Sequence, residues 1–210
     1  MNTKLLKKAY ILSLITIFYN LIEGGVATFY GVQDETLALF GFGLDSFVEV
    51  LSGIGIAHMI WRMNRNVVSK RDSFERTALK VTGSAFYLLT AGLIFGATSS
   101  LYHGSKPETT VIGIVLSVLS ILTMYFLYKA KLDVGHKLNS APIISDANCT
   151  KTCFYLSFIL LGSSLAYEIF SIPYIDAIGS LGIAWYAFKE GKEAFEKSKG
   201  NGLSCSDNCC

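Results

Sequence analysis

The most informative shortage in this sequence is that of charged side chains. Only 16% of the 210 residues are Asp, Glu, Lys or Arg, whereas a soluble domain usually carries about a quarter. Hydrophobic residues make up 51% and the mean hydropathy is +0.45, which excludes a disordered chain. The net charge is only +2, and the charges cluster between long apolar runs, so the composition also excludes a nucleic-acid-binding protein. It predicts a membrane protein.

Cysteine is sparse, and its spacing shows no pairing. Five cysteines without paired spacing through polar sequence argue against an extracellular disulfide framework. The sequence also lacks a repeat with a convincing period and any connection long enough for a soluble domain. We therefore predict one all-helical domain over residues 1–200, followed by a cysteine-containing cytoplasmic tail at 201–210.

Six apolar runs approach the length of about 20 residues that a helix needs to cross a bilayer. The predicted spans are 11–30, 37–61, 81–101, 111–128, 141–167 and 174–188. The last is the shortest, and we expect its helix to continue as a polar segment to Lys199. The first run resembles a signal peptide but has no small-residue cleavage site and contains Glu23, so we predict a retained helix.

The cations are distributed asymmetrically around these runs. Sixteen of the 18 Lys and Arg residues fall at the N-terminal arm, the second and fourth connections with their flanks, and the C-terminal segment. Because cytoplasmic loops carry the excess of Lys and Arg, we predict six transmembrane helices with both termini cytoplasmic. The short loops suit the inner (plasma) membrane of a bacterium.

Two of the predicted spans carry ionisable side chains one helical turn apart. Asp45 and Glu49 share a face of the second span, and Cys149 and Cys153 share a face of the fifth. A charge at the bilayer centre costs about 2.5–3.5 kcal/mol on insertion scales. If the two faces meet, two carboxylates and two thiolates could form a tetrahedral metal site. Two other interpretations stay open: acids stabilised by a helix N-terminus and cysteines that act as small hydrophobic residues.

Other ionisable residues accompany these pairs. Asp146 precedes Cys149 by three residues, and Asp176 opens the sixth span. Together with Glu23 they are candidates for a metal access pathway, and the two aspartates are also candidates for positioning helices. Lys151 lies within the fifth span and either pairs with an acid such as Glu23 or acts on a thiol through its field.

Three stretches of the sequence resemble motifs of one family. GFGLDSFVEVLSGIGIA, SDANCTKTC and YIDAIGSLGIAWYAFKEGKEAF are similar to the second, fifth and sixth helices of the cation diffusion facilitators, the cation efflux family. The resemblance covers residues 8–198. It implies a membrane transporter, not an enzyme, that has no permanently bound cofactor. It also implies a homodimer in the lipid bilayer that exports Zn²⁺ and related divalent cations in exchange for protons.

Carried over by position, the resemblance assigns the transport site to Asp45, Glu49, Cys149 and Cys153. Cys149 stands where the family usually has His, and Cys153 where it has Asp. Two thiolates soften the site, which favours Zn²⁺, Cd²⁺ or Hg²⁺ over Mn²⁺ or Mg²⁺.

A second departure from the family lies at the C-terminal end. We expect the usual cytoplasmic C-terminal domain to be lacking, because the sequence ends in NGLSCSDNCC. Cys205, Cys209 and Cys210 are candidates for capturing a soft metal, or belong to an incidental tail.

The resulting hypothesis is proton-coupled metal efflux by alternating access around a midplane site. The alternatives are an inward heavy-metal permease on the same fold, a membrane thiol-redox protein, and an interaction protein that uses the fold as a scaffold. The i,i+4 spacing of Cys149 and Cys153 on one helix is poor geometry for a disulfide.

Overall fold

The fold consists of helices packed side by side. The computed structural model describes residues 3–33, 36–64, 73–103, 110–138, 141–170, 172 and 174–199. They form α1 (Thr3–Gln33), α2 (Leu37–Asn64), α3 (Ser73–His103), α4 (Val111–Leu138), α5 (Ala141–Phe170) and α6 (Tyr174–Lys199). The part of the chain that the structure describes contains no strand. The prediction of an all-α membrane protein with six helices is confirmed.

Five of these helices contain a segment that is long and apolar enough to cross a membrane. The segments are Lys4–Gln33, Leu37–Gly55, Gly83–Tyr102, Val111–Leu138 and Thr150–Phe170. The sixth helix, α6, has 26 residues and so spans about 39 Å at a rise of about 1.5 Å per residue. Its second half carries Lys and Glu side chains, which lower its hydropathy. A sixth crossing therefore stays a prediction, as do the cytoplasmic termini.

Helix α1 shows how the sequence suits an apolar surrounding. Its buried polar side chains are Ser13, Thr16, Asn20 and Glu23. They recur every three or four residues, so they share one face of the helix. On the opposite side Phe18 and Ile22 are 63% and 68% exposed. This polarity is the reverse of that of a helix at the surface of a soluble protein, and it fits a helix that faces lipid.

Most of the packing occurs in three helix pairs: α1 with α2, α3 with α6, and α4 with α5. Helix α2 also contacts α3, α5 and α6, which places it at the centre of the bundle. The backbones of α1 and α2 come into direct contact at glycines. A Cβ at Gly43 would lie only 2.6 Å from the backbone nitrogen of Thr28, and one at Gly31 only 2.5 Å from that of Phe40. Small residues allow such close approach of helices.

Helices α4 and α5 are joined by polar contacts inside the bundle. The Ser157 hydroxyl donates to Ser120 Oγ at 2.9 Å, and Lys131 Nζ donates to Thr150 Oγ1 at 3.0 Å. Helix α4 continues to Leu138, beyond the predicted end of the fourth span at residue 128, and Lys131 within this extension is 2% exposed.

Candidate metal site

Three ionisable side chains of α2 and α5 meet inside the bundle. One ligand atom each of Asp45, Glu49 and Cys153 lies within 4.8 Å of the others. Asp45 is 2% exposed and Cys153 is fully buried. The set therefore offers two carboxylates and one sulfur to a single point in space, an arrangement that suits a divalent cation.

The local sequence explains why these side chains point inward. Asp45 and Glu49 are separated by one turn of α2, so both face α5. Cys153 packs against Met124 and Leu127 of α4, which exclude water from that side. Because electrostatic interactions are strong in such a low-dielectric surrounding, close anionic groups there need a cation or protons to neutralise them.

The remaining predicted site residues are only partly covered by the structure. Cys149 and Asp146 lie in α5, one and two turns before Cys153, but their side chains are not among those that the structure describes. Cys205, Cys209 and Cys210 fall in the segment 200–210, beyond the described residues. The four-ligand site and metal capture by the tail thus stay predictions.

Glu23 lies in a cluster of hydroxyl groups between α1 and α2. The Tyr19 hydroxyl donates to Glu23 Oε1 at 2.9 Å, and Ser46 Oγ donates to Glu23 Oε2 at 3.2 Å. Glu23 is 4% exposed. Lys151, which we had considered as its partner, instead has its ammonium group 5.7 Å from the ring centroid of Tyr155. Glu23 is therefore hydrogen-bonded to Ser46, the residue that follows Asp45.

Asn20 is a neighbour of the site that the sequence analysis missed. It is fully buried, and its Nδ2 donates to Glu49 Oε2 at 3.1 Å. The sequence does contain a signal for it, because Asn20 lies one turn before Glu23 on the polar face of α1 and is therefore expected to point into the bundle.

Charged side chains of two other helices contact α5 close to Cys153. Lys131 of α4 donates to Thr150 Oγ1 at 3.0 Å, and Glu190 lies in α6. Thr152 Oγ1 donates to Glu190 Oε1 at 3.2 Å. The sequence does not single out either Lys131 or Glu190, because both lie in polar stretches that are typical of the ends of membrane spans.

Asp176 lies at the start of α2 rather than beside the three clustered ligands. Its carboxylate accepts hydrogen bonds from the backbone N–H groups of Leu37, at 2.8 Å, and Ala38, at 3.2 Å. The first N–H groups of a helix have no partner within the helix, and the helix dipole favours a negative charge there. Asp176 thus fixes α2 to α6 about two turns before Asp45. This geometry matches helix positioning, one of the two roles considered for it.

We expect the substitution Asp176→Ala to destabilise the protein by about 1–2 kcal/mol, as for the loss of a helix cap. Two backbone donors would lose their acceptor in a buried setting. Thermal unfolding in detergent would measure the effect. The control is Asp133→Ala, which removes an exposed carboxylate paired with Lys137 and should leave the melting temperature close to that of the parent. Equal melting temperatures for the two variants would contradict the capping role.

The fold and the cluster define a class: all-helical membrane proteins with side chains of the kinds that bind metals at the contact of two helices. The comparison with known families narrows this class. Residues 11–199 match the cation efflux transmembrane domain, and this chain belongs to the cation efflux family. The resemblance seen in the second, fifth and sixth helical motifs is confirmed.

Relatives with diverse names are similar to most of this chain. Transmembrane protein 163 of Xenopus laevis is 28% identical over 178 residues, 84% of this chain and 62% of the relative. The manganese efflux system protein MneP of Bacillus subtilis is 24% identical over 199 residues, 89% of this chain and 66% of the relative. The magnetosome protein MamB of Paramagnetospirillum magneticum is 19% identical over 168 residues, 78% of this chain and 56% of the relative. The chain spans about three-fifths of the length of these relatives.

Proposed function

We propose that this protein transports divalent metal cations across a membrane and that it binds them at Asp45, Glu49 and Cys153. The observation that carries the proposal is the convergence of these three ligand atoms within 4.8 Å, between α2 and α5, in a chain of the cation efflux family. Cys149, one turn before Cys153 on the same helix, completes the proposed set of four ligands.

Exchange of the metal for protons follows from the ligand chemistry. Carboxylates and thiols must be deprotonated to bind a metal, so a bound cation and bound protons exclude one another. A site that opens alternately to the two sides would take up the cation on one side and release it to protons on the other. We further propose that the protein works as a homodimer, in the direction of efflux, from the inner membrane of a bacterium.

The donor set suggests which cations to test. Thiolate ligands favour Zn²⁺, Cd²⁺ and Hg²⁺, and these are the proposed substrates. One relative, MneP, is named for manganese efflux, so Mn²⁺ belongs in every comparison. Inward transport by the same site is the alternative that uses the same geometry. A thiol-redox function has less support, because the described neighbours of Cys153 in the cluster are two carboxylates.

The decisive experiment is a metal titration of the purified full chain in detergent, with Cys205, Cys209 and Cys210 replaced by serine. Zn²⁺, Cd²⁺ and Mn²⁺ would be titrated separately between about pH 6 and pH 8. Because protons compete with the metal, we expect affinity to fall as the pH falls, by about tenfold per pH unit for each proton displaced. The slope of log Kd against pH therefore counts the ligands that bind protons.

Two outcomes would contradict the proposal. One is the absence of binding by all three cations in this titration. The other is binding whose affinity does not change with pH, because a site of carboxylates and thiols cannot avoid competition from protons.

A further inference from the structure

One side chain beside the candidate site has a buried polar atom for which the described residues offer no hydrogen-bond partner. Asn20 is fully buried, and its Nδ2 donates to Glu49 Oε2 at 3.1 Å. Its other polar atom, Oδ1, has no hydrogen-bond partner among the residues that the structure describes. A buried acceptor without a partner costs about 1–3 kcal/mol, so such an atom calls for an explanation, and an ion is one of the ordinary ones.

The Asn20 amide can face Glu49 with either of its two polar atoms, so its oxygen is available to a cation that lies beside Glu49. Rotation of the amide by half a turn about its bond to Cβ exchanges the positions of Oδ1 and Nδ2, which differ little in size. Oδ1 would then lie about 3 Å from Glu49 Oε2, where Nδ2 lies now. Two oxygens at that distance repel one another unless a cation lies between them. Two adjacent ligand atoms of an octahedral cation are about this far apart when each lies about 2.1 Å from the ion, because their bonds meet at a right angle.

We propose that Asn20 is a further ligand of the metal site, whose amide oxygen joins Glu49 in binding cations that take more than four ligands. This inference rests on the proposed function. With Asp45, Glu49, Cys149 and Cys153 the site has four ligands, the number that Zn²⁺ prefers. An added amide oxygen is a hard donor that suits octahedral cations such as Mn²⁺. Asn20 thereby sets how the site discriminates between Mn²⁺ and Zn²⁺.

A purely structural role for Asn20 makes a different prediction. If the amide only holds Glu49 in place, its loss weakens the binding of every cation by a similar factor. If the amide binds the cation, its loss weakens the binding of Mn²⁺ far more than the binding of Zn²⁺. The ratio of the two affinities thus separates a ligand from a positioning residue.

The test compares Mn²⁺ and Zn²⁺ affinities in the full chain with the three tail cysteines replaced by serine. Asn20→Leu keeps the shape and removes the oxygen, and we expect it to lower the affinity for Mn²⁺ at least tenfold more than that for Zn²⁺. Asn20→Asp keeps an oxygen at this position, and we expect it to raise the Mn²⁺ to Zn²⁺ affinity ratio above that of the parent. Thr16→Val, which removes a buried hydroxyl one turn away on α1, should leave the ratio unchanged.

The outcomes separate this inference from the proposed function. Parallel losses of Mn²⁺ and Zn²⁺ binding in Asn20→Leu, or an unchanged ratio in Asn20→Asp, would overturn the role of Asn20 while the transport site stands. Zn²⁺ binding by the parent without any Mn²⁺ binding would do the same. A parent that binds neither cation would overturn both. If Asn20→Leu fails to fold, as judged by its helical circular dichroism, the ratio in Asn20→Asp decides the question.

Discussion

Replacing Asp45 by asparagine is expected to abolish metal transport. Asparagine keeps the volume of the aspartate, so the packing of α2 around this 2% exposed position should survive. What disappears is an anionic ligand at a site where water cannot substitute for it. Loss of a group that merely orients a metal ligand already costs about 10–100-fold in affinity. For a ligand itself we expect a loss of at least about 100-fold, which reduces transport to background.

The measurement is metal uptake or release by vesicles that contain the purified protein, with Zn²⁺ and Cd²⁺ as substrates. Asp133→Asn is the matched control, because that aspartate is exposed at the end of α4 and pairs with Lys137. It should transport at the rate of the parent. Transport by Asp45→Asn at the parental rate would be incompatible with a metal site at this position.

This substitution also separates the rival functions. A thiol-redox protein would keep its activity without Asp45, because its chemistry would reside in the cysteines. A scaffold protein would lose metal binding without losing its partner. Only a transporter loses metal binding and transport together, which is why both readouts belong to the experiment.

The part of the site that the sequence reveals comes from helical periodicity and the cost of charge in lipid. Asp45 and Glu49 are one turn apart in a run too apolar to tolerate them without a function, and Cys153 repeats the spacing on a second run. Both facts are local, and together with the family resemblance they predict the cluster, whose three described members have ligand atoms within 4.8 Å of one another. Its fourth predicted member, Cys149, stays a prediction.

The part that the sequence hides depends on contacts between distant segments. Asn20 and Glu49 are separated by 29 positions, and only the antiparallel packing of α1 on α2 brings them together. The sequence predicts a loop at Lys131 because the apolar run ends near residue 128, although α4 continues to Leu138. Asp176 at the start of α2 is a contact across 139 positions. No pattern in a single sequence predicts the contact of Asn20 with Glu49 or that of Asp176 with the start of α2.

The substitution Gly43→Ala is expected to destabilise the protein by at least about 2–3 kcal/mol, the upper range for overpacking. An added Cβ would lie 2.6 Å from the nitrogen and Oγ1 of Thr28 and 3.0 Å from the carbonyl carbon of Ala27. Two of these atoms belong to the backbone of α1, which cannot move aside by changing a rotamer. The two helices would have to separate along their whole contact.

Gly25→Ala is the matched control in the facing helix. A Cβ there meets nothing within 4 Å, so the higher helix propensity of alanine should leave stability unchanged or raise it by up to about 1 kcal/mol. Because both variants gain the same propensity, opposite signs in thermal unfolding isolate the packing effect. Similar melting temperatures would show that α1 and α2 can separate at little cost.

The same variant connects packing with metal binding. Gly43 lies two residues before Asp45, and the hydrogen bond from Asn20 to Glu49 crosses the same α1–α2 contact. A shift of about 1 Å between these helices would carry Asn20 away from the site while α5 still holds Cys153. We therefore expect Gly43→Ala to weaken Mn²⁺ binding more than Zn²⁺ binding wherever the protein remains folded. Gly25→Ala should leave both affinities at the parental values, because it leaves the spacing of the two helices unchanged.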